Sequence, residues 1–163
     1  MPKKKNKALI ILLSLVFVVL SSISYFLLPP FIKNNGQVKV RIGDNEWRAE
    51  VANNSASRAK GLSGHDPLGE KEGMLFIFEK SDAYTFWMKG MKFSLDIIWI
   101  NGGKVVDISE NLPPAGLTDL KLYSPREPAN WVLEINAGSA KKFGVKIGDS
   151  VELLDGDAQI LYY

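Results

Sequence analysis

The chain has no cysteine and a single histidine, His65, in its 163 residues. The first absence excludes disulfides, thiol catalysis and thiolate metal sites. The second leaves a zinc site short of nitrogen ligands. A serine-type triad would have to be built on His65 with Ser63 and Asp66, which lie too near it in sequence to reach that geometry easily. His65 therefore reads as an ordinary loop residue. Internal repeats are also missing. A basic surface is missing too: Lys+Arg 20 stands against Asp+Glu 18, and Lys3, Lys4, Lys5 and Lys7 account for the excess. Nucleic acid is not an expected partner, because basic residues are not clustered on the folded part. No cofactor is indicated.

What the chain does have is an uncharged apolar stretch over residues 8–28, directly behind those four lysines. About 20 apolar residues at about 1.5 Å rise match the hydrocarbon core of a bilayer. Lysines before the span keep that end in the cytoplasm. The expected plan is a basic cytoplasmic segment (1–7), a transmembrane anchor (8–28), a linker (29–36) opened by Pro29-Pro30, and an extracytoplasmic domain (37–163). The lipid bilayer is then a partner through residues 8–28. The alternative is a cleaved signal peptide and a secreted domain. The run is longer than most signal cores and lacks a small-x-small ending, although Ser21, Ser22 and Ser24 soften its second half.

The domain reads as mainly β (α+β): a compact β-barrel-like or sandwich unit with one or two short helices. Val38, Val40 and Ile42 alternate with Lys39 and Arg41, the period of a half-buried strand. Asp44-Asn45 is the expected turn into a second strand at 47–51. Asn53, Asn54 and Ser55 offer N-caps for a short helix through Arg58 and Lys60, ended by Gly61. Further strands are expected at 74–78, 84–88, 95–100, 104–108, 131–135, 151–154 and 160–163. Asn101-Gly102-Gly103 supplies a hairpin turn, and residues 138–143 a second helix. Asp155-Gly156-Asp157 reads as a turn, with too few ligands for an EF-hand-type calcium loop. Residues 111–130 carry Pro113, Pro114, Pro125 and Pro128 and read as one long loop.

Several motifs occur in order: Ser57-Arg58-Ala59-Lys60-Gly61-Leu62, Glu72-Gly73-Met74-Leu75-Phe76-Ile77-Phe78, and Phe86-Trp87-Met88-Lys89 followed by Leu95-Asp96-Ile97-Ile98. Leu133-Glu134-Ile135-Asn136-Ala137-Gly138 and Gly144-Val145-Lys146-Ile147-Gly148-Asp149 come later. Together they resemble the domain-of-unknown-function 192 family, from about Val38 to Leu154. The resemblance implies a compact β-barrel-like fold, often secreted or membrane-anchored, and implies no activity. The chain departs from that pattern at Ser63 and His65, where the family tends to carry methionine and arginine. It departs again at Gly90-Met91, in place of Asn-Thr, and at Ser94, in place of a proline.

Two carboxylates stand out. Along residues 93–100, Phe93, Leu95, Ile97 and Trp99 share one face, and Asp96 shares the other with Ile98 and Ile100. Glu134, between Leu133 and Ile135, is as oddly placed. A carboxylate on an apolar face is costly unless paired, and Arg58 is the cation best suited to pair with both. The plain reading of Arg58, Asp96 and Glu134 is a structural ion cluster; the sharper one is a ligand site. A second candidate feature is a binding edge for a sugar ring or peptide, formed by Trp87, Met88 and Lys89 with Tyr123 and Ser124 from the proline-bearing loop. Most other aromatics should be core.

The resulting expectation is a membrane-tethered extracytoplasmic binding module, with an envelope glycan or protein as its partner. Two alternatives stay open. One is an envelope-polymer hydrolase using Asp96 and Glu134 as acid and base with Arg58 as orienter. The other is an envelope assembly factor whose anchor pairs with other membrane helices.

Overall fold

The computed structural model describes residues 36–116 and 121–154. The anchor, most of the linker and the 160–163 strand expected from the sequence lie outside the described residues. So does the Asp155-Gly156-Asp157 turn. Among the described residues, no helix is long and apolar enough to cross a membrane.

The fold is mainly β: a curled half-barrel sheet with two short helices. Its strands are β1 (Gln37–Ile42), β2 (Asn45–Ala52), β3 (Glu72–Asp82), β5 (Leu95–Asn101), β6 (Lys104–Leu112), β8 (Ala129–Asn136) and β9 (Val151–Leu153). They run in the order β6-β5-β8-β3-β2-β1-β9. The two-residue strands β4 (Phe86–Trp87) and β7 (Leu122–Tyr123) form a separate ribbon. The helices are α1 (Ser55–Lys60) and α2 (Ser139–Lys142). The sheet curls far enough for its edge strands to meet at one end. Lys104 bridges Ser150, Val105 N–H donates to Asp149 O at 3.0 Å, and Val151 N–H donates to Gly103 O at 2.8 Å. This curl hides backbone groups that an open edge would expose.

Both faces of the central strands are covered. β5 is buried from Leu95 to Ile100, so its two residue sets enter different cores. Ile98 and Ile100 join Val40, Trp47, Leu75, Leu133 and Ile135 inside the curl. Leu95, Ile97 and Trp99 join Leu62, Phe76, Met88 and Val132 on the outer face. Each fully buried large side chain contributes about 1.5–3 kcal/mol, which is how a cysteine-free domain holds together. The two-face alternation expected for residues 93–100 is the one observed.

β2 and β3 are parallel, so their connection must cross over the sheet. That crossover is α1 and the loop behind it, and it covers the outer face. Asn54 caps α1 by accepting from Ser57 N–H at 2.9 Å, while Ser57 Oγ returns the favour to Asn54 N–H at 3.2 Å. The first hairpin turns one residue earlier than expected, at Gly43-Asp44, so Asn45 already opens β2. Gly43 has φ +55 there, which glycine adopts without strain.

The long-loop expectation for residues 111–130 is corrected: β6 runs to Leu112, β7 lies inside the segment, and β8 begins at Ala129. A side-chain tether holds its second half. Asp107, nearly fully buried, accepts from Arg126 N–H at 2.9 Å, from Arg126 Nε at 3.0 Å and from Arg126 Nη2. Burial alone would raise the Asp107 carboxyl; the Arg126 side chain and the N–H groups of Arg126 and Ile108 outweigh it and hold it below the ordinary range.

Candidate functional site

The structure separates the two carboxylates that the sequence singled out. Asp96 pairs with Ile135 and Glu134 with Ile97 across neighbouring strands, one residue out of step, so their side chains leave by opposite faces. Asp96 is on the inner face and fully buried. Its Oδ2 accepts from Ala140 N–H at 2.9 Å, in the first turn of α2, and its Oδ1 accepts from Asn111 N–H at 2.8 Å. The second donor comes from a register shift between β5 and β6, where Asn111 takes φ +55 and its N–H leaves the ladder. Asp96 is thus satisfied by backbone. The expected Arg58–Asp96–Glu134 cluster is corrected: Asp96 is no part of it, and the acid–base pair needed for glycoside cleavage is not assembled.

Arg58 and Glu134 do come together, in the lining of one cavity of about 210 Å³ on the outer face. Its walls come from α1 and the residues after it, β3, the segment 84–87, Met91 and β8. Phe76, Phe78, Tyr84, Phe86 and Trp87 make it aromatic. These rings brace one another. Phe86 meets Phe76 edge-on at 4.9 Å and Trp99 at 5.3 Å, and Tyr84 stacks on Phe78 at 3.7 Å. Gly61 makes room at the end of α1, since a Cβ there would sit 3.4 Å from the Phe76 ring and its φ is +48.

Glu134 is 5% exposed, and its Oε2 has no hydrogen-bond partner among the described residues. Burial pushes its carboxyl up to about 8, so it is largely protonated at neutral pH. Arg58 stands nearer solvent on α1. Its Nη1 donates to Asn53 O at 2.7 Å and Ile77 O at 2.9 Å, and its guanidinium lies 5.1 Å over the Phe78 ring. The Ile77 carbonyl is free for this because the β3–β8 register shifts just beyond it. Arg58 makes no ion pair among the described residues. Lys60, two residues on, lines the same cavity.

The expected binding edge is only partly present. Trp87 lines the cavity and is 48% exposed. Met88 is corrected: it is buried in the outer core, because its side chain alternates with that of Trp87. Lys89 is exposed, and its carbonyl accepts from Ser63 Oγ at 2.8 Å. Tyr123 pairs with Phe86 and packs on the outer core, and Ser124 Oγ lies 3.0 Å from Thr85 Oγ1. None of Lys89, Tyr123 and Ser124 lines the cavity. His65 sits in the turn after α1, its N–H bonded to Leu62 O. Among the described residues no cluster of side chains suits a metal ion.

Sequence reasoning missed Lys71. Its ammonium lies 4.1 Å from the Trp47 ring and 3.2 Å from that of Phe143, and it donates to Asn45 Oδ1 at 2.9 Å. Burial lowers its pKa. It staples one end of the half-barrel and lies outside the cavity. The departures from the family pattern do bear on the site. Ser63 and Met91 line the cavity, and a Cβ on Gly90 would meet Ser63 Cβ at 3.4 Å.

Comparison with known proteins agrees with this fold. A UPF0127 protein of Pyrococcus abyssi is 29% identical over 110 residues, covering 66% of this chain and 86% of its own length. A crystal structure from Sinorhizobium meliloti, provisionally named a transcription regulator, is 31% identical with a TM-score of 0.66, covering 72% of this chain and 93% of that one. A protein of unknown function from Novosphingobium aromaticivorans is 36% identical with a TM-score of 0.64, covering 71% and 84%. The profile of DUF192, described as uncharacterized ACR, matches residues 38–153. The chain therefore belongs to the DUF192 family.

Proposed function

We propose that this protein is a ligand-binding module held on the outer side of the cytoplasmic membrane by residues 8–28. The observation that carries the binding reading is the aromatic-walled cavity with the buried carboxyl of Glu134 in its lining, whose Oε2 has no hydrogen-bond partner among the described residues. A concave site in which aromatic walls hold a few convergent polar groups, one of them a perturbed carboxyl, is a common form of small-molecule site. Asp96, bonded by backbone on the other face, supplies no second carboxylate to it. That favours binding over a two-carboxylate hydrolase. The tether rests on the lysine-flanked apolar run and the charge rule that orients it.

Binding is tested on the full-length protein in detergent micelles, with small amines, carboxylates and alcohols as probes and ligand-observed NMR as readout. Ala59→Phe, which places a large ring in the cavity from an α1 position with no buried neighbours on its own helix, should abolish the signal. Probes that bind the variant as well as the wild type would remove the cavity from the account. The tether is tested by a C-terminal reporter enzyme active only outside the cytoplasm. It should be active in cells, and activity confined to an interior reporter overturns the topology.

A further inference from the structure

We infer that the cavity selects a small amino carboxylate: a ligand with an ammonium at one end, a carboxylate at the other and apolar carbon between. This rests on the binding reading above and gives it a ligand class. The argument is one of a buried acid without a donor and a cation without an anion. Glu134 and Arg58 line the same cavity and are not ion-paired with each other. Glu134 is at the buried end, with an Oε2 that no donor among the described residues reaches. A ligand ammonium satisfies that oxygen and turns a costly buried acid into a paired carboxylate. Aromatic walls favour the same end of the ligand, since ring faces attract cations.

The open end has the opposite sign. Arg58 and Lys60 both belong to the last turn of α1 and both line the cavity. Among the described residues, only Nη1 of the Arg58 guanidinium is used, on Asn53 O and Ile77 O. Those two bonds and the Phe78 ring beneath fix the plane of the fork. Its remaining N–H groups suit a carboxylate, which guanidinium binds in bidentate fashion. A cation-only ligand would leave the Arg58 guanidinium and Lys60 without an anion, and an anion-only ligand would leave the buried Glu134 Oε2 without a donor. Only a molecule carrying both charges is matched at both ends. At about 210 Å³ the cavity is smaller than the roughly 300–1,000 Å³ of drug-sized sites, which suits a ligand the size of an amino acid.

Four probes of similar length decide the matter on the full-length protein in detergent micelles: 6-aminohexanoate, n-pentylamine, n-hexanoate and n-pentanol. The expected order places 6-aminohexanoate at least about tenfold tighter than any of the others, since each charge-assisted bond adds that much or more. Glu134→Gln should bring 6-aminohexanoate down to the level of n-hexanoate. Arg58→Gln should bring it down to the level of n-pentylamine. Circular dichroism melts of both variants report folding, and the wild-type ranking stands without them. Ammonium binding also ionises Glu134, so it releases a proton near pH 7, visible as calorimetric heats that vary with buffer. The other titratable groups lining the cavity are Arg58, Lys60 and Tyr84, and the strand partners of Glu134 are Met74 and Ile97. If all four probes bind alike and Ala59→Phe blocks them, the charge inference is wrong and the binding site survives. If none binds, both readings fail together.

Discussion

Asp96 holds Ala140: the Asp96 Oδ2 accepts the Ala140 N–H at 2.9 Å, and so fastens α2 to the start of β5. Its other oxygen takes Asn111 N–H at 2.8 Å. Asp96→Asn turns one acceptor into a donor facing a backbone N–H. The expected cost is about 1–3 kcal/mol, the penalty for stranding a buried polar group. Urea unfolding measures it. Ligand binding at the outer cavity should be unchanged, and a variant as stable as the wild type would falsify the tether.

Gly73 tests the packing beneath the same cavity. A Cβ there would stand 2.7 Å from the Glu134 carbonyl, with Ile135 and Leu133 side chains at 3.2 Å. The obstacle is backbone, which cannot swing aside. Gly73→Ala should therefore destabilise by about 1–3 kcal/mol, read as a lowered Tm. No loss of stability would mean that β3 and β8 are farther apart than described.

Glu134 gives a pH signature. In the folded chain its carboxyl keeps a proton up to about pH 8, whereas the unfolded one loses it near about 4.3. Between those values the unfolded state binds fewer protons, so unfolding free energy falls as pH rises. The slope from this group is at most about 1.4 kcal/mol per pH unit. Glu134→Gln removes it. Urea midpoints at pH 5, 6.5 and 8 should show the variant gaining on the wild type at each step, and parallel curves would contradict a buried, unpaired acid.

Arg126→Ala cuts the tether to Asp107. The buried carboxylate then keeps the N–H donors of Ile108 and of residue 126 but loses its cation. A loss of about 1–3 kcal/mol is expected at pH 7. The wild-type contribution should vanish in acid, because a carboxyl held below its ordinary range stabilises above its unfolded pKa and ceases to as it protonates. Amide exchange should quicken around β7 before it does in the seven-stranded sheet. Uniform exchange would mean that the tether holds nothing locally.

Asn54→Ala removes the cap of α1 at about 0.5–2 kcal/mol. Because Arg58 and Lys60 ride on that helix, affinity for an anionic group at the cavity mouth should fall alongside stability. Unchanged affinity would separate the helix from the site.

Much of this was legible in the chain. The alternation along residues 93–100 declared two buried faces, and the apolar residues of both did enter two cores. The Gly61 stop marked the end of α1, and Asn53, Asn54 and Ser55 marked its start to within a residue, with Asn54 the cap observed. β7 was not legible, since two residues carry no period and owe their conformation to β4. Nor was the fate of Asp96 readable: its partners are backbone N–H groups, and no side-chain type announces them. Glu134 looked the same as Asp96 in sequence, and only the one-residue offset between β5 and β8 put them on opposite faces.

Local order fixed the strand periods, the helix ends, the cysteine-free core and the kinship with DUF192, because those depend on neighbours in the chain and on residue type. Which acid would be satisfied and which would be left bare in a cavity was decided only in three dimensions. Strand register and a crossover helix set who faces whom, and the energy of a buried charge depends on that company more than on the residue itself.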